Sequence, residues 1–299
     1  MTSNIIPKKL AIYYSYPSLV NGSNGNISSA VTAFSAYDLV VLGDGLQLST
    51  HPDHLNTVNI INDPAMANTT IFGYIDTVQP LDAIQDKIDQ WYNMGIKGIF
   101  MDKFGYDYGV TRQQQREIIW WIHNKGNGLL AFVNAWNPDD VFGAVVDPVA
   151  NPNGLTSRIN STDWYLAESF AVINGVYDDN DTDNNNIKDF QDKAFKMTNY
   201  KTTFGTNMAA ITTLGSQTFT QNLANYSYFL AVLNKFDAWG FGEEYFSSSS
   251  ALLPFRMRVP FHGTKFTAPI TIINGVMEHQ TNVGIHVDTN AHTVDLLLD

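Results

Sequence analysis

Two acidic residues each follow directly on an apolar run, and they are the strongest candidates for chemistry in this chain. Asp102 closes the run Ile96–Met101, and Glu168 closes the run Trp164–Ala167. Runs this apolar are typical of strands buried on both faces of a parallel sheet. In α/β-barrel enzymes the carboxyl ends of such strands carry the reacting groups. We therefore predict a catalytic pair, with Asp102 as nucleophile or base and Glu168 as the general acid acting on a sugar bond.

Other polar and aromatic side chains follow the predicted strands and would line a cleft around the two acids. Amides and carboxylates bind hydroxyl or amine groups, and aromatic faces stack on sugar rings. The predicted substrate-binding residues are Tyr14, Tyr74, Asp76, Asn134, Trp136 and Glu244. A structural interpretation stays open beside this one, in which each aromatic packs in the core or rim, Asp102 caps or braces a loop and Glu168 pairs with a base.

Strand-like runs alternate with helical patterns over about 240 residues, which is typical of repeated β-α units. The eight runs are Leu10–Tyr14, Asp38–Leu42, Thr70–Ile75, Gly98–Met101, Leu129–Asn134, Trp164–Glu168, Met208–Thr212 and Ala238–Phe241. Helical spacing of Ile84, Ile88 and Trp91 predicts a helix after the third run, and Thr111 with Gln114 forms a capping-box pattern before the next helix. No glycine-rich phosphate motif follows the first strand, so the α/β fold predicted is a (β/α)8 TIM barrel rather than an open doubly wound sheet.

The pattern changes after the eighth run. Phe255–Val259 alternates with a period of two, Ile270–Ile273 leads into the turn pair Asn274-Gly275, and alternating runs follow at 285–287 and 294–298. We predict a (β/α)8 glycosidase-like catalytic domain over residues 1–248 and a small C-terminal β-hairpin module over residues 249–299. A module of about fifty residues has a thin core, so it should pack on the barrel or on another chain. In the second case residues 250–299 would form a homo-oligomer.

Composition excludes several classes of partner. The chain has 299 residues, a formal net charge of −12 and no cysteine. An acidic chain is a poor ligand for nucleic acid or an anionic membrane, and without cysteine there are no disulfides or thiolate metal sites. No apolar stretch approaches the roughly 20 residues that a membrane helix needs. The N-terminal residues show no charged segment followed by an apolar one, so no signal peptide is visible.

Two segments hint at metal binding. Acids at positions 179, 181 and 183 have the spacing of a calcium loop, but the sixth position holds Asn184 where such loops need glycine. A solvated loop is the favoured interpretation, and calcium binding by residues 178–186 stays open. Asp53 beside His51 and His54 leaves a metal-dependent deacetylase as a weak alternative. We predict that the protein uses no metal and no cofactor.

Three short motifs carry a family resemblance. At Gly73-Tyr74-Ile75-Asp76, Gly98–Asp102 and Ala167-Glu168 the chain resembles the endo-α-1,4-polygalactosaminidase family and its spherulin-like and Pel-polysaccharide-hydrolase relatives. The resemblance implies a (β/α)8 glycoside hydrolase of galactosamine-containing polysaccharides. It also implies that Asp102 matches the family's Asp after strand four and Glu168 its Glu after strand six.

The expected function is therefore endo-acting cleavage of a polysaccharide, of the galactosamine-containing type. An acidic cleft would attract a cationic amino-sugar polymer. The alternative is a non-catalytic glycan-binding or structural barrel of the phage-tail type, because a fold alone does not prove activity. Such a polymer is extracellular and no export signal is visible, so we expect action outside the cell or on a virion. Removal of an export sequence from the chain is an equal explanation.

Overall fold

Eight parallel strands close into a barrel in the computed structural model of this chain. The structure describes residues 6–126, 128–242, 271–273, 276–280 and 284–297. The strands up to residue 242 are β1 (Lys8–Tyr13), β2 (Leu39–Leu42), β3 (Thr70–Asp76), β4 (Gly98–Asp102), β5 (Leu130–Asn134), β6 (Trp164–Ala167), β7 (Val172–Ile173), β8 (Val176–Tyr177), β9 (Asn207–Thr213) and β10 (Ala238–Gly242). β7 and β8 form a separate hairpin, and the other strands follow the barrel order β1-β10-β9-β6-β5-β4-β3-β2. The predicted (β/α)8 TIM barrel is confirmed.

Helices lie outside the barrel between successive strands. They are α1 (Ile27–Phe34), α2 (His54–Ile61), α3 (Leu81–Asn93), α4 (Arg112–His123), α5 (Pro138–Phe142), α6 (Asp189–Phe204) and α7 (Gln221–Leu233). α3 buries Ile84, Ile88 and Trp91, as their spacing predicts. α4 begins with the predicted capping box: the Thr111 hydroxyl accepts from the Gln114 backbone N–H, and the Gln114 side chain accepts from the Thr111 N–H. No helix in these described ranges is long and apolar enough to cross a membrane.

Phenylalanine side chains fill the middle of the barrel. The rings of Phe72 and Phe100 each contact Phe132, with centroids 5.1 and 5.2 Å apart, and all three are buried. Tyr14 and Tyr74 lie above this layer, and their ring centroids are 5.4 Å apart. This is the edge-to-face arrangement that aromatic pairs prefer. It forms the floor of the site at the carboxyl ends of the strands.

Gly73 sets the position of β3 against α3. A Cβ atom at Gly73 would lie 2.2 Å from the Trp91 indole, so only glycine lets this buried ring pack flat on the strand. The Trp91 indole N–H donates to the Tyr74 backbone oxygen at 3.1 Å. The glycine of the Gly73-Tyr74-Ile75-Asp76 motif therefore supports the strand end that carries Tyr74.

A small antiparallel sheet follows the barrel. Its strands run in chain order and are β11 (Thr271–Ile273), β12 (Val276–Gln280), β13 (Gly284–Asp288) and β14 (Thr293–Leu297). The predicted strands near 270–273, 285–287 and 294–298 are thus confirmed. The predicted strand Phe255–Val259, the turn Asn274-Gly275 and the domain boundary at 248 lie outside the described residues.

This sheet packs on the barrel through β13, β14 and α7. Ile285 and Val287 are buried. The His292 ring stacks on Tyr177 with centroids 4.0 Å apart, and its Nε2 lies 2.9 Å from the Asp179 carboxylate. Of the two expected packing modes, β13 and β14 show packing against the chain's own α7. A homo-oligomer through residues 250–299 stays a prediction.

Candidate functional site

The carboxyl ends of β3, β4, β5 and β6 bring the predicted residues into one cluster. The Asn134 Nδ2 donates to Asp102 Oδ1 at 2.9 Å and to Glu168 Oε2 at 2.7 Å. The Tyr74 hydroxyl donates to the second Asp102 oxygen at 2.7 Å. Asp102 and Glu168, from here the carboxyl pair, are therefore held together by one amide from the strand between them.

The backbone turns sharply after each member of the carboxyl pair. Lys103 has a φ of 54° and Ser169 a φ of 55°, both in the left-handed region. A residue with a Cβ atom rarely adopts this backbone conformation, because it costs about 1–2 kcal/mol. Strained residues of this kind cluster at functional sites, where the surrounding structure holds them in place.

Burial changes the pKa of Glu168. Burial raises the pKa of Glu168 above its ordinary value, and the charge of Asp102 raises it further, while the Asn134 hydrogen bond and the Lys193 charge lower it in part. Asp102 accepts hydrogen bonds from the Tyr74 hydroxyl and the Asn134 amide. A raised pKa suits Glu168 to the role of proton donor.

The two tyrosines of the floor stay protonated. Burial raises the pKa of Tyr14 well above its ordinary value, and the negative charge of Asp102 raises it further. Burial also raises the pKa of Tyr74, and the charge and hydrogen bond of Asp102 add to this effect. The Tyr74 phenol therefore acts as a fixed donor to Asp102.

A small cleft lies over the carboxyl pair. Its volume is about 200 Å³, and its lining residues are Asp102, Lys103, Tyr108, Asn134, Ala135, Trp136 and Glu168. At its rim the Lys103 ammonium lies 2.6 Å from the Asp76 carboxylate, which also accepts from the Val78 N–H at 2.8 Å. Asp76 is thus part of an ion pair at the mouth.

The structure brings most of the predicted site residues together. The cluster and its cleft contain Tyr14, Tyr74, Asp102, Asn134, Trp136 and Glu168. Asp76 lies at the rim, and Glu244 is outside the described residues. The Asn134 amide donates to both carboxylates, and its predicted role in substrate binding stays a prediction. The other predicted roles stay predictions.

Sequence reasoning missed Lys193 on α6. Its Nζ lies 3.7 Å from the centroid of the Trp136 ring. Burial lowers the pKa of Lys193 to about 8, although the charges of Asp178, Glu168 and Asp189 oppose that shift. The available signal was helical spacing: Phe190, Ala194 and Met197 are the buried residues of α6, so position 193 lies beside the inward stripe.

In both segments that suggested metal binding, acidic side chains accept hydrogen bonds from other residues of the chain. Oxygens of Asp181 accept from the backbone N–H groups of Asn185 and Asn186 at 3.0 Å each. Asp53 is buried and accepts from the Ser18 N–H at 3.0 Å and the Asn56 amide at 2.9 Å. Across the residues that the structure describes, no three His, Cys, Asp or Glu side chains are grouped as a metal site.

Comparison with known proteins gives similarity of fold only. No family model and no curated protein matches the chain. An HpcH/HpaI aldolase from Desulfitobacterium hafniense DCB-2 is 9% identical, with 80% of this chain and 87% of that chain covered and a TM-score of 0.42. The N-acetylneuraminate lyase from Mycoplasma synoviae is 9% identical, with 81% and 71% covered and a TM-score of 0.42. The endo-beta-1,4-glucanase Xac0029 from Xanthomonas axonopodis pv. citri is 11% identical, with 80% and 88% covered and a TM-score of 0.46.

These comparisons correct the predicted activity. Proteins named as an aldolase and a lyase stand beside the glucanase, so similarity in fold does not single out cleavage of a glycosidic bond. The prediction of a glycoside hydrolase acting on an amino-sugar polysaccharide is wrong on this comparison, and we withdraw it. The likenesses are too distant to assign another reaction, which has to be argued from the site itself. The resemblance to polygalactosaminidases stays a prediction.

Proposed function

We propose that this protein is an enzyme that exchanges protons between the carboxyl pair and a small hydroxy-carbonyl compound in a lyase-type reaction. The observation that carries the proposal is the Asn134 amide, which donates to both acids and fixes them over one cleft. Two carboxyls that one amide holds in place can reach a single bound molecule. A positioned general acid or base accelerates a reaction by about 10²–10⁴-fold.

The pair divides the two proton transfers. Glu168 is the donor, because burial raises its pKa and keeps it protonated to higher pH than an ordinary glutamate. Asp102 is the acceptor. In the cleavage direction Asp102 takes the hydroxyl proton of the substrate as a carbon–carbon bond breaks, and Glu168 protonates the carbanion left beside the carbonyl. Asp102 ends protonated and Glu168 ionised, and exchange with water restores both.

The dimensions of the cleft favour a small substrate. Its volume of about 200 Å³ lies below the usual range of roughly 300–1,000 Å³ for ligand pockets. Trp136 and Tyr108 supply apolar walls, and the Lys103 ammonium lies at the rim, where it can bind a polar oxygen of the substrate. The proposed substrate class is therefore a short-chain β-hydroxy aldehyde, ketone or keto acid.

Proton exchange in heavy water tests this function. A panel of short β-hydroxy carbonyl compounds and 2-keto acids is incubated with the protein in D₂O, and deuterium incorporation next to the carbonyl is followed by ¹H NMR. Asp102→Asn and Glu168→Gln should each slow exchange by about 100-fold or more. Glu117→Gln is the matched control, because Glu117 lies on α4 and contacts Gln113 there. No exchange with any compound, or equal rates in all variants, would contradict the proposal.

A further inference from the structure

Lys193 differs from the other lysines near the barrel mouth and on α6. Among the residues that the structure describes, six lysines lie within 3.0 Å of an aspartate oxygen, and these are Lys87, Lys103, Lys125, Lys188, Lys196 and Lys201. Within the described ranges, Lys193 has no carboxylate within ion-pair distance and no hydrogen-bond acceptor. Its Nζ faces the Trp136 ring at 3.7 Å instead.

This amine opens onto a second cavity that adjoins the cleft of the carboxyl pair. The cavity has a volume of about 480 Å³, and Trp136, Ser169, Asp178 and Lys193 are among its lining residues. Trp136 also lines the cleft over Asp102 and Glu168. A molecule that crosses the Trp136 ring would therefore meet the Lys193 amine on one side and the two carboxyls on the other.

On the basis of the function proposed above, we propose that Lys193 is a further catalytic residue, which binds the carbonyl carbon of the substrate covalently as an imine. The substrate class this implies is an aldehyde or ketone. An amine that is not engaged by a carboxylate, and that lies against an aromatic wall beside a proton donor, has the surroundings this chemistry needs.

The step balances without any oxidant or reductant. The unprotonated amine adds to the carbonyl carbon, and a proton passes from nitrogen to the carbonyl oxygen to give a carbinolamine. Glu168 then protonates the hydroxyl, which leaves as water, and a positively charged iminium remains. As Asp102 takes the substrate hydroxyl proton, the carbon–carbon bond breaks and the iminium accepts the released electron pair, which gives a neutral enamine. Glu168, reprotonated from water, then protonates the enamine carbon and restores the iminium. Addition of water to that iminium frees the product and the amine, and the proton released returns to solvent.

The burial of Lys193 supports an accessible neutral form of its amine. Burial lowers the pKa of this amine to about 8, against the opposing charges of Asp178, Glu168 and Asp189. Roughly a tenth of such amines are unprotonated at pH 7, compared with well under about 0.1% for a lysine of ordinary pKa. The reactive form is therefore about two orders of magnitude more abundant than for an exposed lysine.

Reductive trapping tests the imine directly. The full chain is incubated with glycolaldehyde or pyruvate and sodium cyanoborohydride, and peptide mass spectrometry locates the secondary amines that form. We expect labelling of Lys193 at least ten times faster than labelling of Lys196. Lys196 is the matched control, because it lies on the same helix, lines the same cavity and is paired with Asp139 at 2.7 Å. Lys193→Met should abolish the fast label, and Lys196→Met should leave it.

The variants separate this inference from the proposed function. Lys193→Arg keeps the charge against Trp136 and cannot form an imine, so it controls for loss of folding in Lys193→Met. If Lys193 is labelled no faster than Lys196, the imine is overturned. If Lys193→Arg exchanges deuterium at the wild-type rate while Asp102→Asn does not, the imine is overturned and the acid–base function stands. Fast labelling of Lys193 without deuterium exchange in the wild type supports the imine and overturns the acid–base function.

Discussion

Asp102 and Glu168 accept hydrogen bonds from the same nitrogen atom, the Asn134 Nδ2, at 2.9 and 2.7 Å. The two acids come from β4 and β6, and the amide comes from β5, which pairs with both strands. Parallel register thus places three polar side chains side by side above a floor of aromatic rings. This amide links the two members of the carboxyl pair.

Removing the amide should therefore impair the pair without unfolding the barrel. Asn134→Leu keeps the size of the side chain and loses both hydrogen bonds. Because the Asn134 hydrogen bond lowers the pKa of Glu168, its loss should raise that pKa further. We expect deuterium exchange about 100-fold slower than in the wild type. Asn124→Leu, at the exposed end of α4, is the matched control and should keep full activity.

Loss of the Tyr74 hydroxyl should slow deuterium exchange about ten- to a hundredfold. Tyr74→Phe removes the donor to Asp102 and leaves the ring packed against Tyr14 and Phe100. The free energy of unfolding should fall by only about 0.5–1.5 kcal/mol, the usual value of one hydrogen bond. Kinetics and urea denaturation measure the two effects. An unchanged rate would show that the phenol does not hold the carboxylate in its working position, and Tyr92→Phe on α3 serves as the control.

Glu168 should lower the stability of the folded protein at neutral pH. Its folded-state pKa is raised, so the stability contributed by its protonated form is present below the ordinary value of 4.5 and is lost as pH rises through the raised pKa. Glu168→Gln should therefore unfold at a higher temperature than the wild type at pH 7. The gain should shrink as the pH falls toward 4.5. A variant less stable than the wild type at pH 7 would be the contrary result.

Asp163, at the opposite end of β6 from Glu168, provides the control for the thermal unfolding of Glu168→Gln. Asp163 precedes β6 and is 0% exposed. It accepts from the backbone N–H groups of Ala131 and Asn160 at 2.9 Å each and lies 3.0 Å from His123 Nε2. Asp163→Ala leaves these donors unpaired and should destabilise the protein by about 3–5 kcal/mol. Asp163 and Glu168 thus flank β6, and we expect the first to stabilise the fold and the second to react.

Gly73 should tolerate no side chain. In Gly73→Ala the new methyl group would overlap the buried Trp91 indole, so we expect the free energy of unfolding to fall by about 3 kcal/mol. Displacement of β3 should also lower activity, because Tyr74 is the next residue. Gly109→Ala is the control: its φ is 76° and its Cβ would meet nothing within 4 Å, so only backbone strain of about 1–2 kcal/mol applies. Equal losses in thermal denaturation would contradict the overlap.

The barrel was predictable because its strands are buried on both faces. Runs such as Phe72–Ile75 and Gly98–Met101 contain few polar residues, so their existence and the acids that end them are visible in the sequence. Parallel register then brings Asp102 and Glu168 to the same end of the barrel without further information. The C-terminal strands β13 and β14 were visible for the related reason that their side chains alternate.

What the sequence could not show is contact between distant segments. Lys193 lies on a helix that begins 21 residues after Glu168, and only folding places its amine on Trp136. The Asn134 bridge was hidden for another reason. An asparagine at a strand end can bind a substrate or its neighbours equally well, and the positions of the acids on both sides decide which it does.

The most direct test of the account is the titration of Glu168 itself. The chain has five glutamates, so ¹³C labelling of their side-chain carboxyls gives few signals, and Glu168→Gln identifies the one that matters. We predict a midpoint for Glu168 above the ordinary value of 4.5 and a lower midpoint in Asp102→Asn, because the Asp102 charge helps to raise the pKa of Glu168. A Glu168 midpoint at or below the ordinary value, unchanged in Asp102→Asn, would contradict the claim that the two acids form one proton-exchanging pair.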